Sequence, residues 1–175
     1  AVLVEAGAQE LEALAGAGWA MVQRLTRGWP AYGEDDLGAA VNWARRALAE
    51  GSDDPKAVVL GGFALVMLRQ DYATGMDALR RAAEMNPGDG FVTGMAGSGL
   101  VFGDDGDRGI PLLERAQRLS PQDPNAFAAL SVLGIGRLFR GEPEAAIEAA
   151  ARSLSLNDRW DSAHWVMVAA QVELG

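Results

Sequence analysis

His164 is the only histidine in the chain, and it sits in "DSAHWVMVAAQ". A zinc site needs several nitrogen or sulfur ligands, and with no cysteine and no second histidine none can be assembled. Ser98 and Ser131 have only that solitary imidazole as a possible base, so a Ser-His-Asp device has no support. The stretch "GDDGDRG" (103–109) lacks the Asp-x-Asp-x-Asp-Gly order and the closing glutamate of a calcium loop. "GMAGSGL" (94–100) is glycine-rich but has no Lys-Ser/Thr ending and follows no strand, which a phosphate-binding loop requires. The carboxylate pairs Asp35-Asp36 and Asp53-Asp54 fall at expected helix starts, where capping and the helix dipole account for them. The expectation is therefore no catalytic set, no cofactor and no metal. His164 is expected at a core or interfacial position on a terminal helix.

Composition narrows the classes further. The 15 basic and 24 acidic residues leave a net charge of −9, and a net anion repels phosphate backbones, so this segment is not expected to bind nucleic acid. All the basic residues except Lys56 are arginine. The longest apolar run, "AVVLGGFALVML" (57–68), falls short of the roughly 18 residues that cross a bilayer, and Lys56 and Arg69 bound it. The absence of cysteine fits a reducing cytoplasm. The chain opens on Ala1 without a basic n-region or cleavage signal, and it is expected to be a fragment of a longer cytoplasmic protein.

With no chemistry in single residues, the elements themselves carry the information. "GMDALRRAAEMNP" (75–87) lies over "GIPLLERAQRLSP" (109–121), then over "AIEAAARSLSLND" (146–158), with "AVNWARRALAEGS" (40–52) upstream. The period is roughly 34 residues, lengthened by three near "DPN" (123–125). Within a unit, Met76, Leu79, Ala82 and Ala83 follow helical spacing, as do Ile110, Leu113 and Ala116. Asp54-Pro55 and Asp123-Pro124 read as an N-cap followed by proline at the first helical position, while Pro87 and Pro121 stop the helix before them. This predicts helices over 3–26, 35–50, 55–69, 72–85, 89–102, 108–119, 124–140, 143–155 and 160–173, paired as antiparallel hairpins, and no strand. The turn "TRGWPAYGEDD" (26–36) is unusually long.

Small residues recur where the two helices of a hairpin must approach closely. Gly75, Gly109 and Ala146 share one place, Ala47, Ala82, Ala116 and Ser153 another, and Gly97 and Gly134 lie on the partner helices. Glycine in a helix costs about 1 kcal/mol relative to alanine, so close packing is the expected compensation. Arg46, Arg81, Arg115 and Arg152 form an equivalent row, with Asp77–Arg81 and Glu148–Arg152 spaced for ion pairs along an exposed ridge.

"RQDYATGMDALRRAAEMNP" (69–87) resembles the second half of a tetratricopeptide repeat: Tyr72 at the aromatic position, Gly75 and Ala82 at the small ones, Pro87 at the closing proline. Leu133-Gly134 resembles the Leu-Gly of the first helix, although Val66, Leu100 and Arg137 replace the first-helix tyrosine and Asp158 replaces the last proline. The resemblance, over about 35–175, implies an all-α, right-handed α-α superhelix of about four hairpins plus a terminal capping helix. Its repeats run roughly 3–52, 53–87, 88–123 and 124–158, with the helix at 159–175, in a single domain over 1–175. "GWPAYGEDDLGAAVNWARRAL" and "LSPQDPNAFAALSVLGIGRLFRGEPEAAIEAAARSLSLN" are also similar to the repeat region that follows class III adenylate/guanylate cyclase domains and winged-helix domains in bacterial regulators.

In such an architecture the first helix of each hairpin lines the concave face. Its exposed positions are expected to be Leu60, Ala64, Met67, Phe91, Met95, Ser98, Phe102, Ser131, Ile135, Phe139 and Trp165. The face is apolar and lacks the Lys, Arg and Asn that would clamp a partner's terminal carboxylate. The expected occupant is an amphipathic helix of a protein partner or a second copy of the chain. A small-molecule sensor with a ligand in the aromatic part of the groove is the rival reading.

Overall fold

The computed structural model describes Ala13 and residues 16–30 and 33–175. The start of the expected 3–26 helix, and Ala31 and Tyr32 of the long turn, lie outside the described residues. Every regular element among the described residues is a helix: α1 (16–26), α2 (Asp36–Glu50), α3 (Pro55–Met67), α4 (Tyr72–Met85), α5 (Gly90–Phe102), α6 (Gly106–Leu119), α7 (Ala126–Phe139), α8 (Pro143–Leu156) and α9 (Asp161–Leu174).

Aspartates set several starts by satisfying amide groups that a first turn leaves free. The Asp54 carboxylate accepts from the Lys56 amide ahead of Pro55, and Asp89 accepts from Phe91 and Val92. Asp35 does the same for Gly38. The α4 and α6 helices end at Met85 and Leu119, just before Pro87 and Pro121, as proline dictates. The expected Asp123-Pro124 start is corrected: α7 begins at Ala126, and the Asp123 carboxylate instead accepts from the Asn125 amide to close a turn in the lengthened linker. The α6 helix begins earlier than expected, at Gly106, which puts Pro111 within the helix on an exposed side.

The chain divides between Asn86 and Pro87 into two compact units. In the first, Val22, Ala44, Ala64 and Leu65 form a core, and Trp19 meets Phe63 edge-on at 5.3 Å. The α3–α4 hairpin closes on glycine. A Cβ on Gly62 would stand 2.9 Å from the Gly75 carbonyl oxygen, and one on Gly75 would stand 3.0 Å from that of Gly62. In the second unit α5 and α6 repeat the arrangement more tightly: a Cβ on Gly109 would lie 2.7 Å from the Gly97 oxygen, and one on Gly97 would lie 2.9 Å from the Gly109 oxygen. Val101, Ile110, Leu113, Leu130 and Leu133 form the core around this hairpin. Ala146, Ala150, Ala163, Val166 and Ala170 join α8 to α9.

The arginine row pairs differently from the spacing. Asp77 bonds Arg80 at 2.9 Å instead of Arg81, whose guanidinium donates to the Ser52 carbonyl at the end of α2. Arg46 pairs with Glu50 at 2.8 Å. No helix among the described residues is long and apolar enough to cross a membrane.

Candidate functional site

The first helices of the hairpins divide the expected surface residues into two groups. In the first unit, Leu60 and Met67 on α3 are half-buried. Ala64 is corrected to the core, because it turns toward Ala44 of α2 and is only 2% exposed. In the second unit Phe91, Phe102, Phe139 and Trp165 are exposed, the last two at 72% and 73%, while Met95 and Ile135 are half-buried. Ser98 and Ser131 are corrected to the interior at 8% and 1% exposure.

Ser131 has a structural task instead. Its hydroxyl donates to the Ala128 carbonyl at 2.8 Å and accepts the indole N–H of Trp160 at 2.9 Å. Trp160 in turn stands edge-on to Phe127 at 4.9 Å, so one buried hydroxyl and two rings fix the approach to α9. His164 is corrected too. It is exposed, not in the core, and its Nε2 donates to the Asp158 carbonyl at 2.8 Å, because that carbonyl can only accept.

Register explains which aromatic residues share a neighbourhood. Phe102 and Phe139 are the last residues of α5 and α7. A Cβ on Gly136 would lie 3.2 Å from Val101, which shows that α5 and α7 lie side by side. Trp165 stands in the first turns of α9, where it is followed by exposed Val168 and Val172 in an i, i+3, i+7 stripe. The sequence reading missed both valines. The signal was present: Val168 takes the repeat place of Gly62, Gly97 and Gly134, and in the α3–α4 and α5–α6 hairpins that place faces the second helix.

Charge gathers on the other side of α7. Arg137 binds Glu142 at 2.5 Å and also reaches Glu114 on α6. The hydrogen bond from Arg137 holds the Glu142 carboxyl below its ordinary range, with slight opposing desolvation and further help from Arg140. Arg137 itself is shifted upward, first by Glu142 and then by Glu114, against desolvation. A carboxyl with a lowered folded-state pKa stabilises the fold above its unfolded value of about 4.3, and that contribution is lost as the pH falls through the lowered value. An NMR titration of Glu142 is expected to show a midpoint below that of an ordinary glutamate, returning to it in Arg137→Gln. An unshifted midpoint in the native chain would remove the ion pair from the solution structure.

Among the described residues no three His, Cys, Asp or Glu side chains gather as a metal site needs. No family model matches the sequence, and no curated protein matches it either. Solved structures do. PilF of Pseudomonas aeruginosa aligns with a TM-score of 0.70 at 18% identity, over 96% of this chain and 75% of its own. MamA of Desulfovibrio magneticus RS-1 aligns at 0.63 and 19%, over 92% and 85% of the two chains. The O-GlcNAc transferase of Thermobaculum terrenum aligns at 0.61 and 24%, over 85% of this chain but only 26% of its own. Together with the glycine-closed hairpins, these likenesses establish the fold class: an all-α, right-handed solenoid of tetratricopeptide type.

Proposed function

We propose that the chain is a protein–protein interaction module whose second unit receives an amphipathic helix. One observation carries the reading: Phe91, Phe102, Phe139 and Trp165 are large, apolar and exposed on first helices of that unit, where nothing in their own hairpins covers them. With a net charge of −9, the chain favours a partner helix with a basic polar face. The similarity to repeat regions of cyclases and winged-helix regulators supports a setting in a bacterial cytoplasmic signalling protein, where docking would bias the activity of a linked domain.

The test uses a model peptide with leucine on one helical face and lysine on the other. Calorimetry is expected to show saturable binding that weakens about tenfold or more in Phe139→Ser/Trp165→Ser, since aromatic anchors dominate such contacts. Undiminished binding in that variant would overturn the assignment of the surface. Concentration-dependent dimerisation in sedimentation velocity, abolished by the same substitutions, would replace the peptide with a second copy of the chain. A metabolite that raises the melting midpoint in a thermal-shift panel, with no peptide binding, would replace it with a small ligand.

A further inference from the structure

We infer that the cleft between α6 and α8 is a second docking site, which holds glutamate side chains of an acidic segment in a partner protein. The cleft has a volume of about 270 Å³ and is walled by Glu114 and Arg118 from α6 and by Glu148 and Arg152 from α8, with Leu133 and Arg137 of α7 at its floor. Each wall carries glutamate four residues ahead of arginine, the spacing of a helical ion pair. Neither pair forms. The Glu114 carboxylate is drawn across to Arg137, and Glu148 and Arg152 are not joined. Among the described residues Arg118 and Arg152 are therefore left without a carboxylate, on opposite walls of one cleft.

The repeat supplies an internal control. Arg81 holds the place of Arg152 one unit earlier, and there the guanidinium reaches back to the Ser52 carbonyl after α2. The linker after α2 is 51–54, whereas that after α6 is 120–125 and turns on Asp123. Arg152 makes no equivalent bond to the longer linker, so the second unit keeps open a guanidinium that the first unit closes.

Size and floor choose the occupant. The volume falls below the roughly 300–1,000 Å³ of a small-molecule site, which suits side chains presented by a larger partner. Buried Leu133 and Ala149 offer an apolar bed for the methylenes of glutamate, with the carboxylate reaching the two guanidinium groups. Glu148 opposes an anion from one side, so its charge limits affinity and steers the carboxylate toward Arg118.

The experiment is a calorimetric titration of the chain with hexaglutamate peptide at low ionic strength. Saturable binding is expected, at least about tenfold weaker in Arg118→Gln/Arg152→Gln and unchanged in Arg46→Gln of the first unit. Added salt should weaken it, as screening of exposed charges requires. Glu148→Gln should bind more tightly, and it decides the matter without removing an arginine should the double variant melt early. Absence of saturable binding, equal binding by the double variant, or no gain in Glu148→Gln overturns the inference. Inorganic phosphate that displaces the peptide with equal affinity makes the cleft a free-anion site and overturns the protein partner.

Discussion

Gly97→Val is expected to lower the melting midpoint by at least about 6 °C, and Gly16→Ala to leave it unchanged or raise it slightly. The two glycines differ only in what surrounds them. Around Gly97, a single added carbon would already stand 2.9 Å from both the Gly109 oxygen and the Leu113 amide nitrogen. Those atoms are backbone of a packed helix and cannot rotate aside, so the two branches of valine must force α5 and α6 apart. Overpacking of this kind costs about 3 kcal/mol, which exceeds the roughly 1 kcal/mol that valine or alanine regains in helix propensity over glycine. Gly16 is helical and exposed with nothing within 4 Å of its missing Cβ, so there the propensity gain stands alone. Differential scanning calorimetry of the two variants checks both signs. Native-like melting of Gly97→Val would mean that the hairpins are not closed by glycine-to-backbone contact.

That contrast also shows where the sequence was legible. Helix ends followed from Asp54, Pro55, Pro87 and Pro121 because capping and the missing proline amide act within a few residues. Hairpin pairing followed from the periodic small residues, although Gly62 and Gly61 went unread. Gly61 packs toward Ala44 of α2, and Gly62 toward Gly75 of α4.

Side-chain direction on the first helices was much less legible. The α3 and α5 helices are apolar nearly all round, so their own pattern does not say which stripe meets the preceding hairpin. The direction is set by contacts from elsewhere, as with Ala64 against α2 or Ser131 beneath Trp160. The α6 helix, with charge on one side and Ile110, Leu113 and Ala116 on the other, allowed no such ambiguity. Ion pairs failed for a related reason. Spacing offers Asp77 two arginines, and the structure takes the one not already held by the Ser52 carbonyl.

Trp160→Ala is expected to cost about 2–3 kcal/mol in urea denaturation and to release α9 first, while Trp160→Phe costs about 1 kcal/mol. The indole does two separable things. Its rings pack edge-on against Phe127 at 4.9 Å and cover the alanine-rich seam of Ala163 and Val166, and its N–H satisfies the buried Ser131 hydroxyl at 2.9 Å. Phenylalanine retains most of the packing and loses only the donor. Ser131 still donates to Ala128, so the loss is one hydrogen bond and not a stranded group. Alanine removes both and opens a cavity between α7 and the start of α9, but Trp160 is only half-buried, so the cost stays below that of a fully enclosed tryptophan. Ser131→Ala should reproduce the small effect of Trp160→Phe, and combining the two should add almost nothing, because they remove the same bond. Hydrogen exchange supplies the spatial readout: faster exchange confined to α9 in Trp160→Ala locates the anchor there. Additive losses in the double variant, or exchange that rises evenly across the second unit, would show that Ser131 and Trp160 act apart and that α9 is held by its alanine seam alone.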